Sequence, residues 1–471
     1  MSPRRLNRLR VWGVNPSLRA AFGRALVRFR LGFADSVSGM IKRHDQNGRG
    51  ISRRNFLRQL AKTSALAGAG ALAARFAAAQ DATLQSLIEQ NQRGGEFELG
   101  FDSASRTIPM PKAALPTLSP LTAQTTDHAI RQYEGIVAGG GWPTVPVGDR
   151  MRLGNRLPAV ITLRQRLAVA GDLGNSVGVS DIYDSYVEAA VRRFQARHGL
   201  AIDGIMREQT FAAMNIPAPV RLAQLRNNAA RLRSLSMHLG NRFVVCNIPA
   251  AQVEAVENGV AVSRHTAVVG KPDRPSPDIN SKIVEINFNP YWTVPVSIVR
   301  RDLIPKMQEA PDYLTSNRIR IFDPRGNELT PSQINWYSEE ATNYQFKQDP
   351  GDFNSLGSIR INFPNKDGVY MHDTPFKNLF GEDFRFHSSG CIRVQNVRDL
   401  VNWLLIETPG WSRQQIDAVI KSGERIDAKV AKPVPLYWIY VTAWATPDGI
   451  VQFRDDIYNR DGLASIAGAR G

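Results

Sequence analysis

Cysteine is scarce: there are two in 471 residues, Cys246 and Cys391. That excludes a disulfide-stapled scaffold and a thiolate metal cluster. The seven histidines show no metal-ligand spacing, so no metal and no cofactor is expected. No run of 18 apolar residues occurs, which excludes a polytopic membrane protein. Acidic residues are nearly absent from the first 79 positions, with two Asp against sixteen Arg and Lys. The remaining 392 residues hold 43 basic and 41 acidic side chains. The overall charge of +16 therefore belongs to a leader, and a nucleic-acid surface on the folded body loses its main support. With 43% apolar and 22% charged residues, the body has an ordinary globular composition.

The leader reads as an export signal. Ser52-Arg53-Arg54-Asn55-Phe56-Leu57-Arg58 precedes an uncharged Ala, Gly and Leu run over 63–74, then Arg75 and Ala77-Ala78-Ala79. A basic region, a short weakly apolar run and a small-residue cleavage site are the parts of a signal peptide. The paired arginines with Phe-Leu resemble a twin-arginine signal, which implies export to the periplasm by the twin-arginine machinery. Residues 40–79 are assigned to this signal. Residues 1–39, with eight Arg and one Asp, form an N-terminal extension, and Met40 is a candidate start.

Apolar spacing organises the mature chain. Residues 81–95 and 126–137 have helical periodicity, separated by a segment over 107–120 with four prolines. Residues 80–150 are read as a helical scaffold domain. Over 151–216, Val160, Leu163 and Leu167 recur on one helical stripe, and Val187, Val191 and Phe194 on another. Gly199-Leu200 and Asp203-Gly204 then mark turns before a short helix with Phe211 and Met214. This order resembles a three-helix peptidoglycan-binding domain. A connecting helix is expected over 217–240. From 241 the texture becomes strand-like: 243–249, 261–263, 266–269, 283–288, 358–363, 369–372, 436–444 and 450–453. Charged and helix-like sequence over 297–352, including a helix over 302–309, interrupts the strands. Its length far exceeds a usual connection of about 4–6 residues, so it is expected to be an inserted capping subdomain. The chain is thus expected to be α+β, with 241–471 as a mainly β domain.

One constellation carries chemistry. His372-Asp373 is followed, after the fifteen residues 373–387, by Ser388-Ser389-Gly390-Cys391-Ile392-Arg393. A cysteine nucleophile needs a base and donors for a tetrahedral oxyanion. His372 at a strand end suits the base. Small Ser389 and Gly390 would let the amides of Gly390 and Cys391 approach a carbonyl. Cys246, in an apolar strand, reads as buried filler. A Cys246–Cys391 disulfide would block the nucleophile.

These residues resemble the catalytic motif of the YkuD family of L,D-transpeptidases: a His, fourteen to seventeen residues, then Ser/Thr-His-Gly-Cys. Ser388, Gly390 and Cys391 match, whereas Ser389 stands where the motif has His. His387 is not its positional equivalent and is given no catalytic role. Gly270-Lys271-Pro272-Asp273-Arg274-Pro275, Asn289-Pro290-Tyr291-Trp292-Thr293-Val294-Pro295, Asn354-Ser355-Leu356-Gly357 and Gln452-Phe453-Arg454-Asp455-Asp456-Ile457-Tyr458 resemble the large YcbB-type members.

The resemblance implies that Cys391 attacks the carbonyl between the third and fourth residues of a peptidoglycan tetrapeptide stem. A second stem then resolves the thioester into a 3→3 cross-link, with His372 as base and the Asp373 backbone carbonyl as its support. Arg393 would orient a substrate carboxylate or form a structural salt bridge. Ser389, Trp292 and Tyr291 are candidate substrate contacts, with core packing the alternative for both aromatics. Carbapenem-type inhibitors are implied as ligands. A cysteine peptidase or hydrolase acting on stem peptides would use the same residues, with water as acceptor. A wall-binding protein with a decayed site is the third reading.

Overall fold

The computed structural model describes residues 114–174 and 177–462. The leader, the N-terminal extension and the helix expected over 81–95 lie outside the described residues. Helix α1 (Pro120–Ala138) starts at Ser119, whose hydroxyl accepts the Thr122 N–H at 3.0 Å. The helix therefore opens at the end of the four-proline segment over 107–120. Pro120 occupies the first turn, where no N–H is needed, and marks a start instead of a break.

Three helices follow: α2 (Ala159–Val169), α3 (Ser185–His198) and α4 (Glu208–Met214). The Asp184 carboxylate accepts the N–H groups of Tyr186 and Val187 to open α3, and Gly199, at φ +68°, closes it. The two apolar stripes meet Phe211 and Met214 in one core. Helix α5 (Ala218–Leu235) continues the chain.

The β region contains β1 (Arg242–Asn247), β2 (Gln252–Glu257), β3 (Val260–Gly270) and β4 (Ile279–Phe288). Next come β5 (Trp292–Thr293), β6 (Ile319–Phe322), β7 (Glu328–Leu329) and β8 (Gln345–Gln348). Last come β9 (Ile359–Asn362), β10 (Met371–His372), β11 (Phe386–Ser388), β12 (Ile392–Val394), β13 (Ile426–Ile439), β14 (Ala443–Ala445) and β15 (Val451–Phe453). Hydrogen bonding runs β3-β12-β10-β9-β4-β13-β1-β2 and returns from β2 to β3, so the pairings form a closed circuit. Each of these strands is thereby paired on both sides over at least part of its length, while one end of β13 is paired on one side only and β11 joins the end of β3.

β4 and β9 pair antiparallel from Glu285↔Asn362 to Phe288↔Ile359. The intervening residues thus leave and re-enter the sheet side by side. They build their own sheet, ordered β5-β8-β6-β7, over a helical run from 296 to 309 that widens to a π-helical turn at Val299–Leu303. This body begins before position 297, because Trp292 and Thr293 already belong to its sheet.

Hairpin β14–β15 leaves the barrel. Ala443, Ala445, Val451 and Phe453 pack instead on Ala129 and Tyr133 of α1 and Leu222 and Leu225 of α5. The three-helix unit is joined to this hairpin through buried arginines. Arg197 pairs with buried Asp172 at 2.5 Å, and Arg454 Nη1 donates to the Arg197 carbonyl at 3.1 Å. Arg166 lies 3.8 Å from the Trp142 ring centroid, and Arg221 lies 4.6 Å from that of Phe453. His198 stacks between Phe194 and Phe453, kept neutral by burial and by Arg197 and Arg221. Asp172 supplies the carboxylate that answers this cluster. Asp172→Asn leaves buried cations uncompensated, and we expect it to destabilise the three-helix unit by about 3–5 kcal/mol. Hydrogen exchange in α2 and α3 measures this; wild-type protection there would refute it.

Candidate active site

Strands β10 and β12 pair in parallel, Met371 opposite Ile392 and His372 opposite Arg393. Met371 and Ile392 are buried in the apolar core. Side chains alternate along a strand, so their sequence neighbours turn to the opposite face. Tyr370 and His372 on one strand therefore lie beside Cys391 and Arg393 on the next. All four line a cleft of about 220 Å³. Across the other edge of β10, His372 pairs with Arg360 of β9. The imidazole thus sits between two guanidinium groups in adjacent strands.

The Nδ1 of His372 lies 2.5 Å from the Asp373 carbonyl oxygen. A carbonyl only accepts, so Nδ1 carries the proton and Nε2 keeps its lone pair. Burial, and then Arg393, push the imidazole pKa down to about 3. Burial pushes the Cys391 thiol up to about 11, against the opposing pull of the Tyr370 N–H, Arg360, Arg393 and the Tyr370 hydroxyl. The resting pair is therefore neutral thiol and neutral imidazole. Proton transfer to Nε2 has to accompany attack by sulfur.

Tyr370 and Arg360 were not among the residues expected from sequence. The Tyr370 hydroxyl accepts the Trp292 indole N–H at 3.1 Å and donates to the Cys391 sulfur. The Arg360 guanidinium lies 4.4 Å from the Tyr370 ring centroid. Alternation around Ile359 and Ile361 placed Arg360 on the face opposite the core, which was the available signal.

The expected residues divide as follows. Trp292 is buried, lines the cleft and also holds Tyr370. Tyr291 faces away, with Arg320 and Arg425 at 5.8 and 5.7 Å from its ring, and does not line the cleft. Adjacent residues in an extended segment point to opposite faces, so only one of the two could enter. The exposed Ser389 lines the cleft and accepts from Arg274 Nη1 at 3.1 Å; Arg274 in turn pairs with Asp302 of the insertion at 2.5 Å. The Gly390 N–H, expected to face a substrate carbonyl, donates instead to Ser388 Oγ at 3.2 Å. Gly390 adopts φ +111°, which glycine accommodates and a larger residue does not. The Asp373 carboxylate accepts from Ser358 N–H at 3.0 Å and from Lys377, a structural role. Arg393 has no carboxylate partner among the described residues, and its Nε and one Nη are buried without an acceptor. His387 lines the cleft and reaches Glu382 at 2.9 Å. Cys246 is fully buried, burial raises its thiol pKa, and both cysteines are free thiols.

A neutral thiol predicts that alkylation of Cys391 by iodoacetamide rises about tenfold per pH unit between pH 6 and 9, without a plateau. A rate independent of pH from 5 upward would instead show a resident thiolate–imidazolium pair. Tyr370→Phe removes one donor to sulfur and should slow alkylation at pH 8 by about tenfold. Peptide mass spectrometry of Cys391 reads both.

Comparison with known proteins places this site. The YkuD model, described as an L,D-transpeptidase catalytic domain, matches residues 241–416, and a peptidoglycan-binding domain model matches 156–214. A Haemophilus influenzae protein carrying the provisional name of an L,D-transpeptidase is 34% identical over 245 residues, 52% of this chain and 49% of that protein. The N-acetylmuramoyl-L-alanine amidase CwlM of Mycobacterium tuberculosis is 36% identical over 76 residues, 14% of this chain and 18% of that one. The chain thus spans about half the length of the first relative and under a fifth of the second. Among solved structures, an L,D-transpeptidase from Stackebrandtia nassauensis is 12% identical with a TM-score of 0.25, covering 63% of this chain and 96% of that one. Superpositions that weak add nothing to the family match. Residues 241–416 thus match the L,D-transpeptidase catalytic domain of the YkuD family, and residues 156–214, earlier in the same chain, match a peptidoglycan-binding domain.

Proposed function

We propose that the protein is a periplasmic L,D-transpeptidase of the large YcbB type that forms 3→3 cross-links through a Cys391 thioester. The observation that supports this most is the shared face of Tyr370, His372, Cys391 and Arg393 in one cleft. In the first half-reaction sulfur bonds to the carbonyl carbon between the third and fourth residues of a tetrapeptide stem. His372 Nε2 takes the thiol proton and passes it to the departing amine of the fourth residue. In the second half the side-chain amine of another stem attacks the thioester. Nε2 collects the proton of that amine and returns it to the departing sulfur, so the neutral imidazole and the free thiol are both restored. Arg393, with unpaired N–H groups beside the nucleophile, is suited to a stem carboxylate. The insertion supplies one wall through Trp292, Pro295, Ser297, Ile298 and Asp302, which fits a cap over the two stems. The three-helix domain would hold the glycan nearby.

Incubation with purified tetrapeptide fragments and mass spectrometry of the products tests this reading. We expect 3→3 dimers from the wild type and none from Cys391→Ala. Trimmed monomers without dimers would make the protein a hydrolase instead. Export through the twin-arginine route predicts that Arg53→Lys with Arg54→Lys retains precursor in the cytoplasm, read by cell fractionation. Normal export of that variant would point to a general secretory signal.

A further inference from the structure

Acyl transfer asks for a second element beside the sulfur: a donor for the carbonyl oxygen as it becomes an oxyanion. The Gly390 N–H is committed to Ser388 Oγ at 3.2 Å. Among the described residues no acceptor takes the amide N–H of Cys391. The direction of that N–H is fixed by the Gly390–Cys391 peptide, because the C=O and N–H of a trans peptide point opposite ways. Its carbonyl accepts from Ser276 Oγ at 2.8 Å. Ser276 is completely buried, and its oxygen also accepts the Gly270 N–H at 2.9 Å. A hydroxyl has a single proton to give, so the proton of Ser276 is committed to Gly390. Cys391 lines the cleft, whereas Ser276 and Gly390 do not. The carbonyl therefore faces the protein and the Cys391 N–H faces the substrate side.

The loop that delivers Ser276 is built for close approach. A Cβ on Gly270 would stand 2.4 Å from the Arg274 carbonyl oxygen and 2.5 Å from the Ser276 nitrogen, so this packing requires glycine. Tyr458, beyond β15, straps the same loop. Its hydroxyl accepts the Ser276 N–H at 3.2 Å and donates to the Gly270 carbonyl.

We propose that Ser276 is a positioning residue that aims the Cys391 amide N–H at the developing oxyanion, with Tyr458 as its support. This rests on Cys391 being the nucleophile, as argued under Proposed function. Without the Ser276 hydroxyl, the Gly390–Cys391 peptide loses its only side-chain anchor among the described residues. Glycine then offers little resistance to rotation of that peptide.

Two reactions of one sulfur separate this role from others. Alkylation by iodoacetamide needs a reactive thiol but forms no oxyanion, whereas acylation by a carbapenem passes through a tetrahedral oxyanion. In full-length Ser276→Ala we expect alkylation of Cys391 within about twofold of wild type and acylation slower by about 10–100-fold. Tyr458→Phe keeps the Ser276 hydroxyl and should show the same pattern at about threefold, providing a second reading should Ser276→Ala fold poorly. Unchanged acylation in both variants would overturn the proposal, as would equal loss of the two reactions in both. A wild-type protein that alkylates at Cys391 but never acylates there would remove the nucleophile assignment itself, and this inference with it.

Discussion

The parallel pairing of β10 with β12 decides which side chains can meet. With Met371 opposite Ile392, the core face receives two apolar residues and the cleft face receives Tyr370, His372, Cys391 and Arg393. A one-residue slip of β10 would turn His372 into the core and bring Met371 to the sulfur. Register is strongly specified where one face is this apolar, because the slip would set an imidazole among the core side chains and turn Met371 out into the cleft. The closed strand circuit adds to this, since β10 is bonded on both sides, to β9 and β12. Two strands of two and three residues are thereby held with an accuracy their own length would not provide.

Burial governs the chemistry as much as proximity does. Desolvation raises the thiol and lowers the imidazole, so both members of the pair lose charge in the closed cleft. The flanking arginines act on the two groups differently: they favour the thiolate and disfavour the imidazolium. A field that helps the sulfur ionise thus also makes His372 a weaker resting base. A stem carboxylate placed against Arg393 would reduce that field where it opposes proton uptake by His372. Substrate binding and base strength are then coupled through one guanidinium.

That Cys391 and His372 share one cleft was legible because the chemistry proposed for them needs rare residues at a fixed spacing. The two helical stripes of the three-helix unit were legible because their period survives in the core. Tyr370 and Arg360 were not, since a tyrosine and an arginine in short strands look like ordinary strand residues until the register is known. Tyr291 failed for the same reason in reverse: nothing local says which of two adjacent aromatics turns inward. Hairpin β14–β15 was read as part of the β domain because the helices that take it, α1 and α5, lie hundreds of residues earlier in the chain. Ser276 carried no signal at all, being one serine in a proline-rich loop.

The insertion reaches the reacting sulfur by two separate contacts. Trp292, from its first strand, donates to the hydroxyl that in turn donates to Cys391. Asp302, from its helical run, pairs with Arg274, which donates to Ser389 beside the nucleophile. The first contact runs through Tyr370, next to β10, and the second through Arg274 of the 271–276 loop. Arg274 lies in the same 271–276 loop that carries Ser276, and Ser276 holds the Gly390 carbonyl. A displacement of the helical run at Asp302 would therefore pull on the loop that orients the Cys391 amide. A movement at Trp292 would alter the hydrogen bond that lowers the thiol pKa. The wall of the cleft and the reactivity of its sulfur are, on this geometry, one mechanical unit.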